Sequence, residues 1–152
     1  MDKDEVSYAT YIDDVYKKVL LLSAASYFEK TISTTLIDFA NKAGKSDIRL
    51  AYLIQNKVIQ RQYHTFFNWD SKNSNQFWGM FGDEQKERAR SRIDQDEQIK
   101  DAEIAFLKLG KQRNLLVHEN FAEQVINDTV DDIYNNYRRA CIFIDFIREQ
   151  FS

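Results

Sequence analysis

The chain has 152 residues, 43% of them hydrophobic and 14% aromatic, which is enough apolar material for one core and excludes a disordered chain. Its formal net charge of -3 excludes a global basic field, so general electrostatic capture of nucleic acid is not predicted. The absence of proline and the presence of only four glycines favour long helices over a sheet with many turns. We therefore expect a single all-α domain over residues 1–152.

The first predicted helix covers about residues 8–43 and ends near Gly44, a residue that suits a helix stop. Its first apolar stripe has helical spacing and consists of Ile12, Val15, Val19 and Leu22. The same register continues to Glu29, which therefore lies beside buried surface. Two interpretations of Glu29 stay open. It is either a group that supports Arg113 or His118, the arginine and histidine of a later helix, or a boundary carboxylate in water.

A second predicted helix begins with Ser46 or Asp47 as its N-cap and runs to about His64. The aromatic stretch over 66–81 then indicates a structured connection and a short helix begun by Asn73 or Ser74. Aromatic side chains at 77, 78 and 81 can stack on bases, but their helical spacing is more typical of a core.

After Gly82 the sequence becomes highly charged and predicts a solvated helix or arm. Arg88, Arg90 and Arg92 are its candidate RNA-binding residues, although a solvated face is the commoner meaning of such a run. The next helix covers about 94–117, with Leu115 and Leu116 among the residues expected to face the core.

The closing helix is predicted to start at Asp128 or Thr129 and to pack along its whole length. Its apolar positions alternate at spacings of three and four, and they are Val130, Ile133, Tyr137, Ala140, Ile144, Ile147 and Phe151.

The segment Arg113-Asn-Leu-Leu-Val-His118 combines a fixed cation with a titratable imidazole, a pairing that suits phosphodiester chemistry. In an ideal helix these two side chains are roughly 140° apart around the axis and about 7.5 Å apart along it, so they do not share a face. Two arrangements stay open: an Asn114–His118 pair with Arg113 reaching around, and a helix that ends near His118. An arginine and a histidine at this spacing also occur by chance, and a histidine at a helix end is commonly a cap.

The same segment, with a phenylalanine three residues beyond the histidine, resembles the Arg-x4–6-His motif of HEPN-domain proteins. This superfamily of small helical domains includes metal-independent ribonucleases. The aromatic stretch over 66–82 resembles the middle of the RiboL-PSP type of HEPN domain, and the order of the predicted helices fits as well. The expected fold is a compact, HEPN-like bundle of four to five helices, with antiparallel first and last elements and a dimer interface near 113–120.

In the ribonuclease members the arginine and the histidine of two protomers meet across a dimer cleft, where the polar residue after the arginine supports them. The resemblance therefore implies Arg113, Asn114 and His118 as catalytic residues, with Glu29 and Glu119 as supporting candidates. HEPN toxins paired with a nucleotidyltransferase antitoxin often carry a modified tyrosine two positions after the histidine. This chain departs from that pattern, because Asn120 occupies the position.

The expected activity is a metal-independent endoribonuclease that acts as a homodimer and leaves a 2′,3′-cyclic phosphate. RNA, with transfer RNA as one candidate, is the expected substrate. An antitoxin or regulatory protein is the expected further partner, in a toxin–antitoxin or anti-phage defence system. The first alternative is a non-catalytic HEPN-like module that binds RNA, nucleotide or protein, and the second is a purely structural interaction domain.

No cofactor, metal or membrane is expected to take part. Two histidines and a single cysteine are too few for an ordinary zinc site, and Cys141 lies in an apolar run typical of a core. The N-terminus lacks a signal-peptide pattern, and no apolar run reaches about 18 residues. A cytoplasmic location is therefore expected.

Overall fold

The computed structural model describes residues 3–45 and 47–152, and within them it contains helices and connections but no β-strand. The helices are α1 (Lys3–Ala43), α2 (Ile48–Ile54), a π-helical segment (Gln55–Ile59), α3 (Tyr63–Phe66), α4 (Asn75–Gly79), α5 (Asp83–Gln95), α6 (Glu97–His118) and α7 (Val130–Gln150). The prediction of an all-α fold is confirmed. The described residues contain more helices than the four to five expected, mainly because the region before α5 is divided into short pieces.

The long helices α1, α6 and α7 form the body of the bundle. Phe28 of α1 packs against Phe106 of α6 and Tyr137 of α7, with ring centroids 5.7 and 5.6 Å apart. Farther along α1, Phe39 packs against Phe151 at the end of α7, at 5.2 Å. These contacts advance together along both helices, so α1 and α7 run parallel, and the prediction that they are antiparallel is wrong. The physical reason is that α6 lies antiparallel to both of them, so α7 turns back into the direction of α1.

The prediction of a single helix up to His64 is also wrong, because the structure divides this region into α2, the π-helical segment and α3. A turn separates the last two, and Arg61 adopts the left-handed conformation there with φ 62°. The start of α2 is as predicted for Asp47, whose side chain accepts a hydrogen bond from the Arg49 backbone N–H at 3.0 Å. The other predicted cap, Ser46, lies outside the described residues.

Most other helix ends agree with the sequence. Ala43 is the last residue of α1, Ser74 is the N-cap of α4, and His118 is the last residue of α6. Thr129 caps α7 through a capping box with Asp132, in which each side chain bonds the other's backbone N–H. The Thr129 cap could be read from the sequence because its bonds lie within one turn of the helix end, whereas Ser74 occupies the N-cap position of α4 without a capping hydrogen bond from its side chain.

The aromatic stretch belongs to the core. Phe77 and Trp78 are fully buried, so their interpretation as core residues rather than base-stacking residues is confirmed. Leu116 is buried as expected, but Leu115 is 39% exposed, and its predicted core position is wrong because the outer side of α6 is not covered at this point. Within the part of the chain that the structure describes, no helix combines the length and apolar character needed to cross a membrane.

Candidate functional site

The guanidinium of Arg113 is held in place by side chains from two helices. Its Nη1 donates a hydrogen bond to Asn114 Oδ1 at 3.1 Å, and its Nη2 lies 3.7 Å from Glu29 Oε2 of α1. The second contact is an ion pair beyond hydrogen-bond distance. Because the Arg113 side chain is still 26% exposed, it is oriented by its neighbours and also accessible to a ligand.

Tyr63 of α3 is a member of this neighbourhood that the sequence did not indicate. Burial raises the pKa of its hydroxyl, the Glu29 carboxylate raises it further, and Arg113 acts in the opposite direction. At neutral pH the hydroxyl therefore stays protonated and can act as a neutral hydrogen-bond donor. No local pattern could have placed it here, because Tyr63 is distant in sequence from both Glu29 and Arg113.

His118 lies at the C-terminal end of α6 and is exposed. The backbone N–H of Glu119 donates to the carbonyl of Leu115 at 3.0 Å and closes the helix, as expected in the arrangement where the helix ends near His118. Among the described residues no hydrogen bond to the His118 side chain is formed, and Asn114 accepts from Arg113 instead. The imidazole is thus free to meet a ligand from solvent.

The second supporting candidate, Glu119, is directed towards the segment that follows α6. Its carboxylate accepts a hydrogen bond from the side-chain amide of Gln124. Glu29 therefore contacts Arg113, whereas Glu119 is bonded within the connection that follows α6.

The three arginines of α5 do not form one shared basic patch. Residues two apart on a helix are roughly 200° apart around its axis, so Arg90 faces away from Arg88 and Arg92. Arg88 pairs with Glu84 at 2.5 Å on the surface, and the Arg92 guanidinium lies 5.4 Å from the centre of the Phe146 ring.

Arg90 is part of a buried polar network. Its Nη1 donates to Glu103 Oε1 at 3.1 Å, and its Nη2 pairs with Asp94 Oδ1 at 2.9 Å. Glu103 also accepts from the backbone N–H of Ser74 at 2.8 Å and from its hydroxyl at 2.5 Å. Trp78 Nε1 donates to the same hydroxyl at 2.9 Å. The sequence signal for this network is the single glutamate within the apolar stripe of α6, which we did not predict to be buried.

The sequence of residues 3–152 matches the family profile described as RiboL-PSP-HEPN. The chain belongs to the RiboL-PSP-HEPN family. The resemblance drawn from the Arg113–His118 motif and the aromatic stretch is thereby confirmed, and the protein is a HEPN-type domain, a class in which ribonucleases are frequent. No curated protein and no solved structure matches this HEPN chain.

The acidic, cysteine and histidine side chains of this HEPN domain are scattered. Over residues 3–45 and 47–152, no three or more of them are grouped so as to hold a metal ion. The sulfur of Cys141 is partly buried, and burial raises the pKa of its thiol, which disfavours the thiolate. The candidate reactive groups at this site are Arg113, Asn114 and His118. Glu29 pairs with Arg113, and Tyr63 lies close enough to both for their charges to affect its pKa.

Proposed function

We propose that this HEPN protein is a metal-independent endoribonuclease. The observation that carries the proposal is the end of α6, where Arg113 is oriented by Asn114 and Glu29 and where His118, five residues later, is exposed. A bidentate cation and an imidazole are the groups that phosphodiester cleavage needs when RNA supplies its own nucleophile.

In the proposed reaction the His118 imidazole removes the proton of a ribose 2′-hydroxyl, and the 2′-oxygen attacks the adjacent phosphorus. The bond from phosphorus to the 5′-oxygen breaks, and that oxygen takes up a proton from an imidazolium. Arg113 stabilises the charge that develops on the phosphoryl oxygens. Asn114 orients the guanidinium through the 3.1 Å hydrogen bond from Nη1. The products are a 2′,3′-cyclic phosphate and a free 5′-hydroxyl.

A homodimer would bring the two groups together. Within one protomer Arg113 lies on the side of α6 that contacts α1, whereas His118 is exposed at the helix end. A two-fold interface at this helix end would place two arginines and two histidines in one cleft and supply both a base and an acid. Exposed apolar side chains beside the site, those of Leu115, Val117 and Phe121, support an interface here.

A ribonuclease of this kind has to be restrained in a cell. We therefore place the activity in a toxin–antitoxin or anti-phage defence system, in a cytoplasmic setting, with an antitoxin or regulatory protein as a further partner. Transfer RNA is the first substrate to test.

The experiment is incubation of the purified protein with total RNA and with transfer RNA in EDTA. Arg113→Ala and His118→Ala, each shown by circular dichroism to be folded, should lose cleavage. His64→Ala is the matched control, because His64 is the other histidine of the chain and is also exposed. Full cleavage by either site variant would refute the proposal.

A non-catalytic HEPN-like module that binds RNA, nucleotide or protein is the second candidate. The observation in its favour is the formal charge of -3, together with the engagement of Arg88 and Arg90 by carboxylates. A wild-type protein that is dimeric and binds RNA but does not cleave it would support this candidate instead.

A further inference from the structure

Lys18 of α1 is a fully buried lysine, with only 1% of its surface exposed. A buried ammonium is costly unless it is paired and hydrogen-bonded. Its Nζ lies 2.7 Å from Asp14 Oδ2 one turn earlier on α1, and it donates a hydrogen bond of 2.8 Å to the backbone carbonyl of Phe121. It also lies 5.1 Å from the centre of the Phe121 ring, within the range of a cation–π contact.

This contact ties the segment that follows α6 to a helix from the other end of the chain. Phe121 is the third residue after His118, in the irregular connection between α6 and α7. Among the described residues, the other hydrogen bonds of residues 119–125 join positions at most five apart. Lys18 therefore supplies the long-range hydrogen bond of residues 119–125. The end of the connection is held separately, by the buried side chain of Ile126 and by Asp128, which accepts hydrogen bonds from Lys108 at 3.0 Å and from Gln112 at 2.8 Å.

Helix α1 also contacts the start of the Arg113–His118 motif, because its Glu29 pairs with Arg113. Lys18 and Glu29 are three turns apart, about 16 Å along an ideal helix, and lie on nearly the same side of it. A rigid helix that contacts the chain at Arg113 and again at Phe121 sets the distance between those two points. His118 lies between them, and its side chain makes no hydrogen bond within the described ranges 3–45 and 47–152.

We propose that Lys18 is a positioning residue for His118: its buried ammonium holds the Phe121 carbonyl against α1 and thereby fixes the imidazole relative to Arg113. The inference rests on the ribonuclease proposal for its effect on catalysis, but not for its effect on the segment itself. Small displacements of a reacting group cause large losses of rate, so loss of the anchor should lower kcat more than it changes KM.

The test is Lys18→Met, which replaces the lysine by an unbranched side chain of similar length that carries no ammonium. Lys17→Met is the matched control, because Lys17 pairs with Asp13 at 2.7 Å on the same helix and in the same spacing. Amide hydrogen exchange of residues 119–125, the NMR signals of the His118 imidazole, and kcat and KM for RNA cleavage across pH are measured for both variants.

We expect Lys18→Met to speed exchange in 119–125 while the interiors of α6 and α7 stay protected, and to shift the His118 signals. We also expect kcat to fall on the order of 10-fold or more with a similar KM and an altered pH profile. Lys17→Met should match wild type in all of these. Unchanged exchange and signals, or an equal effect of Lys17→Met, would overturn the role of Lys18.

Two results separate this inference from the ribonuclease proposal. If wild type cleaves no RNA, that proposal fails, and the exchange and NMR data alone decide on Lys18. If Lys18→Met does not fold, Asp14→Asn provides the milder variant, since it keeps the lysine and weakens its pairing. The same selective change in 119–125 is then expected, and a change spread evenly over the protein would contradict the inference.

Discussion

Replacement of Arg90 by methionine tests whether this candidate RNA-binding residue is held inside the protein. The substitution removes the cation from Glu103, whose side chain is only 2% exposed, and leaves the carboxylate with the two hydrogen bonds from Ser74. Breaking a buried ion pair by removing one partner typically costs about 3–5 kcal/mol. The Arg90 side chain is 22% exposed, so water can reach the gap, and we expect a loss near the lower end, about 3 kcal/mol.

Urea unfolding and thermal melting monitored by circular dichroism measure this loss. For a chain of this size a loss of about 3 kcal/mol corresponds to a Tm lower by roughly 6–12 °C. Arg88→Met is the control in the same helix, because its partner Glu84 and Arg88 itself are both exposed. We expect the control to change the free energy of unfolding by no more than about 1 kcal/mol.

A double variant, Arg90→Met with Glu103→Gln, checks the cause. The glutamine carries no charge but can still accept a hydrogen bond from Ser74, so the double variant should be more stable than Arg90→Met alone. The reasoning is refuted if Arg90→Met is no less stable than Arg88→Met, or if the double variant recovers nothing. In either case the buried carboxylate would not be what Arg90 stabilises.

Two further predictions concern packing and pH. Gly110→Ala should lower Tm, because its new Cβ would lie 2.0 Å from Trp69 Cζ3. Overpacking costs about 1–3 kcal/mol of stability, which outweighs the roughly 1 kcal/mol by which alanine stabilises a helix relative to glycine. Gly79→Ala, whose Cβ would meet only Lys86 Cδ at 3.9 Å, should cause no such loss in the same melting assay, and equal Tm changes would contradict this account.

The prediction about pH concerns Asp132. Hydrogen bonds from the backbone N–H and hydroxyl of Thr129 hold the pKa of its carboxyl below the ordinary value. The ionised carboxylate therefore stabilises the fold at pH values above the ordinary pKa, and this stabilisation is lost as pH falls through the lowered pKa. The Tm difference between wild type and Asp132→Asn should therefore be largest near neutral pH and shrink below about pH 4, and a difference independent of pH would contradict this.

The sequence determined the helical class, most of the helix ends and the motif. The scarcity of glycine and the absence of proline indicated long helices, and local capping residues such as Asp47 and Thr129 marked where helices begin. The Arg113–His118 spacing and the aromatic stretch indicated the family that the profile match confirms. These inferences hold because propensity, capping and periodicity act over one or two turns and are therefore written in neighbouring residues.

The tertiary structure alone decided which residues surround the motif and which charges are available at the surface. It showed that α1 and α7 run parallel, that Arg90 neutralises a buried glutamate, and that Lys18 anchors the Phe121 carbonyl. Each of these contacts joins residues far apart in the chain. A charged residue has the same letter in sequence whether it faces water or a buried partner, and only the packing of whole helices settles which environment it occupies.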